Sequence, residues 1–269
     1  MGYPLFRKKA IGATQISCGL GNLLKNISRY DAGVDFECSV VINRFQNSPQ
    51  GRSQNPKANS LFTAIDRIPV LKPFLLNYPQ TNSPEKYEQF IGQYPFVQQC
   101  FYRDNINQDI GAYDYFYAYL RQQKYSGQVV FINSSVRGPQ EDGWLRKYKT
   151  LFEAEPDTGF CGISLNSHYQ APDARFFFLP HVQSFFIYTS MAVLEKVFPN
   201  GLLEGKNIVD KNELVEQGEV GISTRVLQAG LGIRSSSFPE FFYRAGQKWT
   251  IPEGDIRFQA AYAHRANAC

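Results

Sequence analysis

The run Val129-Val130-Phe131-Ile132, followed at once by Asn133-Ser134-Ser135 and then by Gly138-Pro139, constrains the fold of this chain more than any other stretch. β-Branched and aromatic residues that stop at a polar triplet read as a buried strand opening into a loop. In open α/β sheets, ligands sit outside the carboxyl ends of such strands, where loops hold polar groups over a rigid floor. The same residues are equally those of a core strand followed by an ordinary turn. The upstream segment Arg103-Asp104-Asn105-Ile106-Asn107-Gln108-Asp109-Ile110-Gly111-Ala112-Tyr113 favours the former. Its polar side chains end at Asp109, after which Gly111-Ala112 permits close backbone approach at the start of an aromatic helix.

A chain of 269 residues buries a substantial core as one domain. Its hydrophobic fraction of 43% and charged fraction of 19% are those of a soluble globular protein. The aromatic content, with 22 Phe and 16 Tyr, is high enough for some rings to line a binding surface beside those that pack the core. The net charge of +4 comes from scattered basic residues and not from a stripe, which gives nucleic-acid binding no support. Cys18, Cys38, Cys100, Cys161 and Cys269 form neither a CxxC pair nor a metal-ligand pattern, so reduced thiols and a cytoplasmic location are expected. No apolar run is long enough to span a bilayer, and no signal-peptide core follows Met1 to Lys9.

Along the chain, Leu20, Leu23, Leu24 and Ile27 recur at helical spacing, and Phe36 to Asn43 reads as a strand suited to the middle of a parallel sheet. Asn43 either caps that strand or faces a ligand. Gln46 to Asn59 has the composition of a mobile loop, a connector or a flap, and Leu61 to Asn77 reads as a short element broken by Pro69 and Pro73. Ser83-Pro84 starts a helix that ends near Gly92. Phe96 to Tyr102 leads into the Asn105/Asp109 segment, and Tyr113 to Lys124 forms a helix before the central strand. This order predicts the right-handed crossover of a parallel sheet, with the Asp109 and Asn133 loops at one edge.

Further on, Asp142 to Phe152 reads as a helix, Gly159 to Leu165 as a strand, and Asn166-Ser167-His168 as a loop. In His181-Val182-Gln183-Ser184, His181 and Gln183 share one face of a strand entry, although a lone His is as a rule a satisfied structural residue. A short helix follows over Met191 to Phe198. Glu219 falls at or near the start of a helix that buries Val226 and Leu227 and ends at Gly230, a position where the dipole favours a carboxylate. Leu231 to Ser236 reads as a final edge strand, and Phe238 to Cys269 as an aromatic and basic tail.

Together these segments resemble the GT-A-type glycosyltransferases of rhamnan and other surface-polysaccharide synthesis. That group carries Arg-x-Asn-x-Gly-x-Asp-x-Gly-Ala-Tyr before a strand reading Phe-hydrophobic-Asn-Ser-Ser-Val-Arg-Gly-Pro, and later a His-Val-Gln-Ser segment. Arg103, Asn105, Asp109, Gly111, Ala112 and Tyr113 match. Asn107 stands where the family usually has Gly, and Asn best replaces Gly at positive φ. The likeness runs from about Gly19 to Ser236. It implies one α/β domain over 1–269 with the GT-A (Rossmann-like) nucleotide-diphospho-sugar transferase fold, a central mostly parallel sheet flanked by helices. Residues of about 19–140 would bind the nucleotide sugar, about 141–236 would form the acceptor and catalytic half, and 237–269 the tail.

The resemblance also implies the activity: transfer of a sugar from a nucleotide-diphosphate donor to a glycan or other hydroxyl acceptor, by an inverting single displacement. Asn43, Arg103, Asn105, Asn107, Asp109, Asn133, Ser134 and Ser135 would hold the donor, and Arg137 and Arg225 would offset phosphate charge. His181 and Gln183 would lie at the acceptor side, and Glu219 would deprotonate the acceptor hydroxyl. Other glycan-synthesis proteins are the partners it suggests. GT-A enzymes usually bind Mn²⁺ or Mg²⁺ through Asp-x-Asp at the strand tip, where this chain has Asn133-Ser134-Ser135. Neutral oxygens hold a hard dication much more weakly than carboxylates. Either phosphate holds the metal with help from Asp109 or His181, or cationic side chains replace it.

That departure favours an alternative, a non-catalytic glycan- or nucleotide-binding module on a degenerate GT-A fold. A nucleotidyltransferase would need a Gly-rich, basic signature near the N-terminal strand, and Arg7-Lys8-Lys9 lacks that context.

Overall fold

The computed structural model describes residues 7–11, 14–44 and 84–251. The expected flap over Gln46 to Asn59, the broken element over Leu61 to Asn77 and the tail beyond residue 251 lie outside the described residues.

Short apolar runs on three strands generate the centre of the fold. Strands β5 (Gln128–Ile132), β6 (Thr158–Gly162) and β9 (Phe186–Ser190) each send side chains to both faces of one sheet. Val129, Phe131, Phe160 and Ile187 enter one hydrophobic cluster. Cys161, Phe186 and Tyr188 enter another, on which Val130 and Ile132 also pack. The first is covered by helices α3 (Gln108–Gln122) and α5 (Met191–Val197), through Ile110, Tyr113, Tyr117, Met191 and Leu194. The second is covered by α1 (Leu20–Arg29) and α4 (Trp144–Glu153), through Leu23, Ile27, Trp144, Leu145 and Tyr148. The result is a three-layer α/β arrangement with helices on both faces of the sheet.

The sheet is mixed, where the sequence reading expects mostly parallel strands. Its order is β11-β10-β6-β9-β5, with β10 (Gly232–Ser235) and β11 (Phe238–Tyr243) completing one side. Only β6 and β10 run parallel; β5–β9, β6–β9 and β10–β11 are antiparallel. The cause lies in the connection from β6 to β9. It runs through an antiparallel hairpin of β7 (Leu165–Gln170) and β8 (Phe176–Val182), not through a helical crossover, so the chain re-enters the sheet in the opposite direction. Asn166-Ser167-His168, expected as a loop, belongs to that hairpin, with Asn166 opposite His181. Leu231 to Ser236 is not an edge either, because the start of the expected tail folds as β11 outside it.

Strands β3 (Cys38–Arg44) and β4 (Val97–Asp104) do run parallel, in register from Val40 opposite Cys100 to Arg44 opposite Asp104. They form a separate two-stranded sheet, closed by Leu24 of α1 and by Tyr87 and Ile91 of α2 (Pro84–Ile91). A hairpin of β1 (Arg7–Ile11) and β2 (Thr14–Cys18) precedes α1. The expected crossover β4–α3–β5 therefore joins strands of two different sheets. Between those sheets lies a cleft of about 1600 Å³, lined by Val40 to Asn43 on one side and Val129 to Ser135 on the other.

The last helix, α6, is continuous but irregular. An α-helical turn over Lys211–Leu214 passes into a π-helical stretch over Val215–Val220 and back to α-helix over Gly221–Gln228. Gly218, in the π stretch, packs against Ile110 of α3, where an added Cβ would come within 3.0 Å of the Ile110 side chain. No helix among the described residues is long and apolar enough to cross a membrane.

Candidate functional site

The tip of β5 and the first turn of α3 meet at the cleft. Asn133 donates from Nδ2 to Asp109 Oδ2 at 3.0 Å, and its Oδ1 accepts from the Ser135 backbone N–H at 2.8 Å. The two loops that the sequence places at one edge are thus in direct contact. Asn43, Asn105, Asn107, Asp109, Asn133, Ser134 and Ser135 all line the cleft. At Gly111 an added Cβ would collide with the Ile106 carbonyl oxygen, which is the close backbone approach expected of it.

Two of these residues are engaged internally. Asn107 is left-handed, with φ 58°, a conformation that Asn adopts more readily than most residues. Its side chain is 9% exposed and holds a neighbouring loop: Nδ2 donates to the Lys206 carbonyl at 2.6 Å and Oδ1 accepts from the Ile208 N–H at 2.7 Å. Both polar atoms of the amide are committed, so Asn107 shapes the cleft wall instead of offering a hand to the donor. Asn43 donates to the Gln108 carbonyl and accepts from Arg103 Nη1 at 2.7 Å. Arg103 also reaches the Ile106 carbonyl and braces the β4–α3 turn from outside the cleft lining.

The expected phosphate-binding arginines lie elsewhere. Arg225 packs over the Phe198 ring at 4.5 Å, donates to the Leu202 carbonyl and pairs with Glu204. Burial lowers its guanidinium below the ordinary value, opposed by Glu204 and Asp114. It is a structural clamp. Arg137 is exposed and does not line the cleft. The lysines and arginines that do line it, among the described residues, are Lys149 and Lys211. Lys149 is paired with Glu153, whereas Lys211 opens α6 at the cleft lip and makes no ion pair among the described residues. Sequence reasoning passed over Lys211 because nothing local marks it; its place comes from the Asn107 clamp on the preceding loop.

A second polar group lies behind the cleft wall. His181 and Gln183 do share a face, contacting Asn166 on the paired strand β7 and Ser164 just before it respectively, each at 3.4 Å. His181 is 3% exposed and its Nδ1 lies 2.7 Å from the Leu179 carbonyl, so Nδ1 carries the proton and Nε2 is left as acceptor. Burial lowers its pKa, against the opposing pull of Glu219. The Asn166 Oδ1 beside it is buried without a hydrogen-bond partner.

Glu219 is not at a helix N-terminus, so the dipole argument made from the sequence does not apply. It sits within the π stretch of α6, half-buried, and Oε2 accepts from the Ser184 hydroxyl at 2.6 Å. π-Helical turns are rare and recur at functional sites. The Ser184 carbonyl in turn accepts from the Tyr113 hydroxyl at 2.9 Å, and Tyr113 lines the cleft. Glu219, His181 and Gln183 themselves do not. Comparison with family models, with curated proteins and with solved structures finds no match to this chain.

The residues at the β5 tip do not fit a dication held by the protein. The carbonyl oxygen of the Asn133 amide is already bonded, Ser134 and Ser135 offer only neutral oxygens, and no three His, Cys, Asp or Glu side chains converge among the described residues. His181, suggested above as a helper, faces the group behind the wall.

Proposed function

We propose that the chain is a glycosyltransferase of the GT-A kind, taking a nucleoside-diphosphate sugar into the cleft and moving its sugar to a hydroxyl acceptor. The observation that carries this reading is the Asn133–Asp109 contact, which joins the two family-like segments into one polar rim on the cleft. Asn105, Asp109 and the Ser134–Ser135 loop supply hydrogen-bond groups for the nucleotide and sugar. Lys211, which also lines the cleft, supplies positive charge for the departing diphosphate. Glu219 has the form of a base: one carboxylate oxygen is anchored on Ser184 and the other has no partner among the described residues. In an inverting displacement it would take the acceptor proton while the acceptor oxygen bonds the anomeric carbon and the nucleoside diphosphate leaves with the bonding electrons.

A specific observation also favours the binding-module reading, since Glu219 stands off the cleft lining. The two separate on turnover. UDP-, GDP- and dTDP-linked sugars are incubated with the protein, with and without Mn²⁺, and release of nucleoside diphosphate is followed. A transferase releases nucleoside diphosphate from one class of donor, with water or an added glycan as acceptor. Binding of a donor without any release would establish the module and refute the enzyme.

A further inference from the structure

Glu219 is fixed by a path that begins on the donor side of the cleft. Asp109 and Tyr113 lie one turn apart on α3, so they share a helix face. Asp109 accepts from Asn133 at the tip of β5, and the Tyr113 ring stacks on Phe131 of the same strand, with centroids 4.9 Å apart. From there the Tyr113 hydroxyl donates to the Ser184 carbonyl, and the Ser184 hydroxyl donates to Glu219 Oε2. Ser184 is 8% exposed and sits between β8 and β9. The α-helical turn that follows the π stretch is held to the end of β8 by Ser223, whose Oγ accepts from the Val182 N–H at 3.1 Å.

We infer that Ser184 is the positioning residue of Glu219, and that Tyr113 sets Ser184 from the donor-side helix. The assignment rests on the transferase reading given above. Its physical content is geometric. A glutamate side chain has three rotatable bonds, and a carboxylate that takes a proton in the transition state must be held within about half an ångström of its working place. Packing does not supply that hold on a half-exposed residue in a π turn, whereas a short hydroxyl–carboxylate hydrogen bond from a buried serine does. Ser184 touches no reacting atom in this account. It acts only through Glu219, and Tyr113 acts only through Ser184, so their effects are confined to the step that Glu219 performs.

The test is a double-mutant cycle on the wild-type protein, Ser184→Ala, Glu219→Gln and the pair, with nucleoside-diphosphate release from the donor class that the panel of UDP-, GDP- and dTDP-sugars identifies. Ser184→Ala lowers kcat about 10–100-fold with donor KM unchanged, the size of a lost hydrogen bond to a charged group. Ser184→Thr, which keeps the hydroxyl, restores most of the rate. In the Glu219→Gln background the Ser184→Ala change has no further effect, because residues that act as a unit are not additive. Tyr113→Phe, which keeps the ring on Phe131, lowers kcat about 3–10-fold in the same pattern and serves where Ser184→Ala fails to fold. Additive losses in the cycle, a loss confined to KM, or an unchanged rate in Ser184→Ala would each overturn the assignment while leaving the transferase intact. A wild type that releases nothing from any donor refutes the transferase, and the assignment with it.

Discussion

Asn107 allows the account to be tested without any substrate. Its backbone is left-handed and its buried amide makes two hydrogen bonds that fix the loop 206–208 at the cleft lip. Each contributes about 1 kcal/mol net. Glycine fits the same φ but loses both bonds and adds unfolded-chain entropy of about 0.5–1 kcal/mol, so Asn107→Gly costs about 2–3 kcal/mol. Alanine loses the same bonds and also meets the left-handed penalty of about 1–2 kcal/mol, so Asn107→Ala costs about 3–4 kcal/mol. Urea unfolding should show the midpoint falling in the order Asn107, Gly, Ala at constant slope. In a chain of this size each kcal/mol lowers Tm by about 2–4 °C. A glycine variant within about 0.5 kcal/mol of wild type, or an alanine variant more stable than the glycine one, would refute this reasoning.

Three further expectations concern the site. Glu219→Gln should leave donor binding nearly intact and reduce turnover at least about 100-fold; a mild loss would remove Glu219 from the role of base. Arg225→Ala should lower stability by about 2–4 kcal/mol through lost packing on Phe198 and lost bonds to Leu202 and Glu204, with little change in donor affinity. A selective loss of affinity at constant stability would return Arg225 to the phosphate. For His181, burial lowers the folded-state pKa, so the unfolded chain binds a proton that the folded chain does not. Stability is then complete above the unfolded value of about 6.5 and falls as pH drops below it. Comparing unfolding at about pH 7.5 and about pH 5.5, His181→Gln should flatten this part of the slope, and an unchanged slope would contradict it.

Local pattern carried the sequence reading where burial follows from periodicity. Leu23 and Ile27 face the core as their helical spacing requires, and the Val129–Ile132 run is a strand whose tip meets Asp109. Pairing partners are non-local and were not legible. Nothing in Asn166 to His168 shows that Phe176 to Val182 will fold back on it, and nothing in Phe238 to Tyr243 distinguishes an edge strand from a tail before β10 is in place. The same limit misplaced Glu219. Gly218 and Gly221 resemble a break before a helix, yet Gly218 is the contact that lets α6 lie on Ile110 and continue through a π turn. Arg225 and Asn107 looked like free polar groups because their acceptors, at Leu202 and Lys206, come from a loop about 20 and about 100 positions away.

The claim that this cleft takes a nucleoside-diphosphate sugar is tested most directly by calorimetric titration of UDP-, GDP- and dTDP-linked sugars, each with and without Mn²⁺, into wild type and Asp109→Ala. The account predicts that one nucleotide class binds wild type and that Asp109→Ala weakens it about 10-fold or more, as loss of a charged hydrogen-bond partner at the rim requires. Binding of none of them, or equal binding to both proteins, would contradict it.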